Sequence, residues 1–139
     1  MPQPSQSRRR VVAVIDDDMA TCFSLQRLLR SYGFESKSFE SAAAFMAQGH
    51  PREFACLILD VRMPGMTGPE LHDRLLKSDI LVPIIYITGY IDDAVLSGVR
   101  RPGTVKILEK PFDEKELITH VRAAVQVFRR DEEDSGDVH

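Results

Sequence analysis

The chain has 139 residues, 43% of them apolar and 28% charged, with a formal net charge of −3. That length suits one domain with its own core, and the acidic balance argues against a nucleic-acid-binding surface. No apolar run reaches the length of a membrane span, so neither nucleic acid nor a bilayer is an expected direct partner.

Residues 1–9, rich in Pro, Gln, Ser and Arg, read as a flexible arm. Ser7-Arg8-Arg9-Arg10 hints at a twin-arginine export signal, but the apolar run after it stops at Ile15, too short for a signal sequence. Arg10 to Ile15 predicts a first strand with apolar residues on both faces, as in a covered parallel sheet, stopped by Asp16-Asp17-Asp18. A helix is predicted from Met19 to Tyr32, with Asp18 as N-cap, Cys22, Leu25, Leu29 and Tyr32 on one face, and Gly33 as stop. A short strand over 34–39 follows, then an alanine-rich helix capped by Ser41 and ending near Gly49. Phe54 to Leu59 forms the third strand and leads into Asp60.

Gly68-Pro69 opens a helix carrying Leu71, Leu75 and Leu76. Pro83 to Thr88 reads as the fourth strand, and 92–99 as a short helix weakened by Gly98 and closed by Pro102-Gly103. Val105 to Leu108 is the fifth strand, ending in Glu109-Lys110-Pro111. The last helix runs from Asp113 to Arg129 with Leu117, Val121, Ala124, Val125 and Phe128 on one face, and Asp113 with Glu116 forms a capping box. Residues 130–139 are an acidic, flexible tail, which leaves 10–129 as the domain. Strand and helix alternate five times, so the fold class is α/β with a doubly wound, five-stranded parallel sheet. Cys22 and Cys56 stand alone in apolar segments and read as reduced core residues of a cytoplasmic protein. His50, His72, His120 and His139 lack metal-ligand spacing, and Gly65-Met66-Thr67-Gly68 lacks the lysine of a phosphate-binding loop.

In an open α/β sheet, chemistry sits beyond the carboxyl ends of the strands. Those ends carry Asp16 and Asp17, Asp60, Thr88 and Lys110. Taken alone, Asp60 can be nucleophile, metal ligand or general base. Three carboxylates beside one ammonium leave excess negative charge, relieved by a raised pKa or a divalent cation. Few, hard, water-accessible oxygen ligands suit Mg²⁺. A hydroxyl and an ammonium opposite suit phosphoryl oxygens, with Asp60 placed to attack phosphorus.

The paired acids after the first strand, Asp60-Val61-Arg62-Met63-Pro64-Gly65, Thr88-Gly89 and Glu109-Lys110-Pro111-Phe112 together resemble the receiver domain of two-component response regulators. The resemblance spans 10–128, and within receivers it is strongest to the nitrogen-fixation regulators with LuxR-type output domains. It implies a flavodoxin-like, CheY-like (βα)5 fold with strand order 2-1-3-4-5. It also implies that Asp60 accepts phosphoryl from a sensor histidine kinase or phosphotransfer protein and switches binding to a downstream effector protein. By the same resemblance Asp16, Asp17, Asp60 and the backbone carbonyl of Arg62 hold Mg²⁺, Thr88 and Lys110 contact the phosphoryl oxygens, and Lys110-Pro111 is cis. Such a domain transfers phosphoryl to and from itself rather than turning over an external metabolite, and homodimerisation is left open.

Two positions depart from the family pattern. Ile107 stands where many receivers carry an aromatic residue that rotates inward on activation. Gly98 and Arg100-Arg101-Pro102-Gly103 interrupt the fourth helix, which is expected to be short, with an altered signalling surface. A haloacid-dehalogenase-type phosphatase needs a second aspartate two residues after its nucleophile, where this chain has Arg62 after Asp60. The remaining alternative is a receiver-fold interaction module that works without phosphorylation. The sequence leaves open whether the chain stands alone or belongs to a longer regulator.

Overall fold

The computed structural model describes residues 11–48 and 50–137, so the arm read at 1–9 lies outside the described residues. Five strands, β1 (Val11–Ile15), β2 (Glu35–Phe39), β3 (Cys56–Asp60), β4 (Ile84–Thr88) and β5 (Thr104–Glu109), form one sheet in the order β2-β1-β3-β4-β5. All four pairings are parallel, matching the predicted order 2-1-3-4-5. The helices are α1 (Met19–Ser31), α2 (Ala42–Gln48), α3 (Gly68–Lys77), α4 (Asp93–Gly98) and α5 (Glu114–Asp137), with a 3-10 turn at Pro51–Glu53.

Every residue of β1, β3 and β4 is buried, as both-sided apolar sequences require, whereas the edge strand β2 alternates. The sheet divides two cores. One face packs Phe39, Phe45, Phe54, Leu71, Tyr86 and Val95 against α2, α3 and α4. Phe39 meets Phe45 and Phe54 edge-on, at ring centroid distances of 5.2 and 5.9 Å. The other face buries Cys22, Leu25, Leu29, Leu117, Val121 and Val125 under α1 and α5. Each such aliphatic side chain contributes about 1.5–3 kcal/mol. Cys22 and Cys56 are free thiols on that second face. Burial pushes Cys22 up to about 11 and Cys56 up to about 12, so neither is a thiolate near neutral pH.

Helix ends differ from expectation in instructive ways. Tyr32 leaves the predicted apolar face of α1 to act as its C-cap, 38% exposed under the Arg122 guanidinium. Gly33 then takes φ 87°, and the N–H groups of Gly33 and Phe34 bond Arg30 and Leu29 carbonyls at 3.0 and 2.9 Å. α3 closes the same way with an aspartate: Asp79 sits at φ 59°, and Ile80 N–H reaches the Leu75 carbonyl at 2.9 Å. The capping box lies not at Asp113 and Glu116 but at Thr67 and Glu70 of α3, with reciprocal bonds of 3.2 and 2.9 Å. Glu116 instead turns toward Lys106 and His120. α5 runs to Asp137 rather than ending at Arg129, because no proline follows Pro111 and the first glycine is Gly136. Helix thus covers 130–137 of the tail read at 130–139, whose last two residues lie outside the described residues, and Phe128 lies where the side chains of α5 are outside them too.

α4 is short, six residues, as Gly98 and Pro102 lead one to expect. The segment after it is nonetheless fastened. Arg101 donates to both carboxylate oxygens of Asp73 on α3, at 2.6 and 3.0 Å, and to the Gly98 carbonyl. His72, buried on α3, bridges the Tyr86 hydroxyl at 2.7 Å and the Pro102 carbonyl at 2.8 Å. A carbonyl only accepts, so Nε2 carries the proton and Nδ1 accepts from Tyr86. Burial lowers the His72 pKa and keeps the ring neutral.

Candidate functional site

Three strand ends converge. β1 stops at Ile15 because three consecutive aspartates would each be desolvated in a sheet interior. Asp16 is fully buried and Asp17 exposed, while Asp60 closes β3 with 6% of its surface accessible. Carboxylate oxygens of Asp16, Asp17 and Asp60 all lie within 4.8 Å of one another. Asp18 turns away: its side chain accepts from the Ala20 N–H at 3.0 Å and the Thr21 hydroxyl at 3.1 Å, capping α1 as predicted.

Lys110 enters from the far edge of the sheet. Its Nζ donates to Asp16 Oδ2 at 2.9 Å, and the other Asp16 oxygen accepts the Asp18 N–H at 2.9 Å. The Lys110 backbone N–H bonds the Thr88 carbonyl at 2.7 Å, and Lys110-Pro111 is cis, as the resemblance implies. Thr88, fully buried at the end of β4, donates its hydroxyl to the Tyr90 carbonyl at 3.2 Å. Arg62 donates its backbone N–H to Asp60 Oδ1 at 3.3 Å, and its guanidinium reaches Asp92 at 3.2 Å. Gly68 makes this packing possible, since a side chain there would overlap the Asp60 carbonyl and crowd Leu59 and Tyr86.

The charges explain the state of Asp60. Burial, and then the charge on Asp16, push its carboxyl up to about 7, with Lys110 and the Arg62 N–H pulling the other way. Two carboxylates 4 Å apart repel by about 4 kcal/mol at an effective dielectric of 20. Burial alone would lower Lys110, but its hydrogen bond to Asp16 and the charges of Asp60 and Asp16 outweigh that, so its pKa rises and it stays cationic. The donor set is oxygen only, open at Asp17, and carries more negative charge than one lysine offsets. It fits a hard divalent cation.

The sequence pattern does not mark His72, Tyr86, Asp92 or the Arg101–Asp73 pair. Asp92 carries a local signal, its N-cap position before α4, where it accepts the Val95 N–H at 2.8 Å. The pairing with Arg62, thirty positions away, carries none.

A family model described as response regulator receiver domain matches residues 12–122. The chain is similar to nodulation protein W of Bradyrhizobium diazoefficiens, 37% identical over 89% of this chain and 55% of that protein. It is also similar to the transcriptional regulatory protein FixJ of Azorhizobium caulinodans, 40% identical over 82% of this chain and 54% of that protein. Among solved structures, the response regulator StyR superposes with a TM-score of 0.77 at 34% identity, covering 91% of this chain and 65% of StyR. The chain thus spans little more than half the length of these two curated relatives. Among the described residues no helix is long and apolar enough to cross a membrane.

Proposed function

Since the chain belongs to the response regulator receiver domain family, we propose that Asp60 is its phosphoacceptor, taking phosphoryl from the phosphohistidine of a sensor histidine kinase or phosphotransfer protein. The observation carrying this is the placement of Asp60 at the end of β3, its oxygens within 4.8 Å of those of Asp16 and Asp17, with Lys110 bound to Asp16. An Asp60 carboxylate oxygen attacks phosphorus, and the new O–P bond forms as the P–N bond to imidazole breaks. The imidazole leaves with the electron pair and takes a proton from solvent. Water later attacks the acyl phosphate, releasing inorganic phosphate and restoring the carboxylate.

Asp60 must be ionised to attack, and burial beside Asp16 opposes that. Mg²⁺ held by Asp16, Asp17, Asp60 and the Arg62 carbonyl would supply the missing positive charge and draw phosphoryl oxygens toward the acceptor. Lys110 offsets charge building on one phosphoryl oxygen, and the Thr88 hydroxyl donates to another after leaving Tyr90. The phosphorylated domain, acting in the cytoplasm, alters its contact with a downstream effector protein. Ile107 favours a second reading, an interaction module that works without phosphorylation, because the usual aromatic readout has no counterpart there.

Intact mass after incubation with acetyl phosphate and Mg²⁺ tests the two readings, with wild type set beside Asp60→Asn. Gain of one phosphoryl that needs Mg²⁺ and is absent from the variant is expected. No gain in wild type, together with no Mg²⁺ binding by titration, would favour the interaction module.

A further inference from the structure

The loops after β3 and β4 are joined by a charged contact that belongs to neither the acidic cluster nor the lysine. The Arg62 guanidinium donates to Asp92 Oδ2 at 3.2 Å. Each partner is also tied inward. The Arg62 backbone N–H bonds Asp60, and Asp92 Oδ1 accepts the Val95 N–H that caps α4. In the same loop as Asp92, Thr88 is engaged by its neighbour: its hydroxyl donates to the Tyr90 carbonyl at 3.2 Å, and the Tyr90 N–H lies 3.4 Å from the same oxygen. A hydroxyl has one proton to donate, and this one is committed. For Thr88 to donate to a phosphoryl oxygen its hydroxyl must release the Tyr90 carbonyl, and Tyr90 lies two residues before the anchored Asp92.

We propose that Arg62 and Asp92 are positioning residues for phosphoryl transfer, their ion pair holding the β4–α4 loop where the Thr88 hydroxyl stays on Tyr90. Opening the pair frees that hydroxyl. The inference rests on Asp60 being the phosphoacceptor and adds the contact that sets when Thr88 becomes available. The pair is suited to being opened, because its side chains are 61% and 37% accessible. An exposed pair of this kind biases an equilibrium by about two- to fivefold, enough to tilt a loop without locking it. Phosphoryl on Asp60, two residues from Arg62, brings further negative charge that competes with Asp92 for the guanidinium.

The test is the rate of phosphoryl uptake from acetyl phosphate with Mg²⁺, followed by intact mass in the full chain. Asp92→Asn removes the charge but keeps an N-cap residue of equal quality. It is expected to speed uptake about two- to fivefold. Arg62→Ala, at an exposed position that leaves the fold intact, is expected to give the same gain, and the double variant no more than either single one. Arg62→Lys keeps the charge on a different donor and is expected to fall between wild type and Arg62→Ala. In a Thr88→Val background Asp92→Asn is expected to change nothing, an outcome that a merely structural role for Asp92 does not produce. Unchanged or slower uptake in both single variants, or a gain that persists without the Thr88 hydroxyl, would overturn the proposal. A folded wild type that takes up no phosphoryl at all would instead remove the Asp60 assignment, and this inference with it.

Discussion

Asp60→Asn should make the metal-free protein more stable at alkaline pH. In the folded chain the Asp60 carboxyl titrates near 7, because burial and the Asp16 charge disfavour its ionised form. In an unfolded chain it titrates near 3.9. Between those values the folded state keeps a proton that the unfolded state has released. Stability from this group is therefore complete below about pH 4 and is lost as pH rises through 7. At 1.36 kcal/mol per tenfold in proton affinity, the loss reaches about 4 kcal/mol as an upper bound. Asparagine carries no charge to desolvate. In EDTA at pH 8.5 the variant should exceed wild type by up to that amount, and the gap should close toward pH 4. The chain has no tryptophan, so urea unfolding followed by far-UV circular dichroism is the suitable assay. Adding Mg²⁺ at a hundred times its dissociation constant should raise wild type by about 2.7 kcal/mol and narrow the difference. A variant no more stable than wild type in EDTA at pH 8.5, with parallel pH profiles, would refute the idea that Asp60 is held under electrostatic strain.

Other perturbations probe the scaffold. Gly68→Ala drives a methyl into the Asp60 carbonyl, and it should cost about 1–3 kcal/mol in urea unfolding while slowing phosphoryl uptake. Tyr86→Phe leaves buried His72 Nδ1 without its donor and should cost about 1–3 kcal/mol, read from the shift in urea midpoint. Thr67→Ala removes the cap of α3 and should cost about 1 kcal/mol by the same assay. Asp79→Gly relieves a left-handed backbone and should add up to about 1 kcal/mol.

β1, β3 and β4 are legible from the chain because burial on both faces demands unbroken apolar runs, and an aspartate or threonine at the end of such a run cannot belong to the core. That logic also finds Asp16, Asp60 and Thr88 without knowledge of any neighbour, whereas Lys110 follows the half-exposed β5 and is found only by its place at a strand end beside Pro111-Phe112. His72 is different. On α3 it looks like one polar residue among several, and its role exists only because Tyr86 and Pro102 arrive from 14 and 30 positions away. Arg62 and Asp92 escape for the same reason. Asp79 escapes because aspartate rarely adopts the left-handed conformation that glycine would signal. Thr67-x-x-Glu70 carries the capping-box spacing in plain view, but Asp113 and Glu116 carry the same spacing, and only the fold shows Glu116 facing Lys106 of β5 and His120 one turn along its own helix.

The Lys110–Asp16 contact joins residues 94 positions apart, one near each end of the sheet's course. A ribosome releases Asp16, Asp17 and Asp60 long before Lys110, so the nascent chain carries its acids without their counter-ion. Closing so wide a loop is entropically late, because it waits for β3 and β4 to bring β5 alongside. The centre is thus complete only once β5 has joined the sheet. A chain cut short before β5 would keep Asp16, Asp17 and Asp60 but lack Lys110, and its three acids would face one another without that counter-charge.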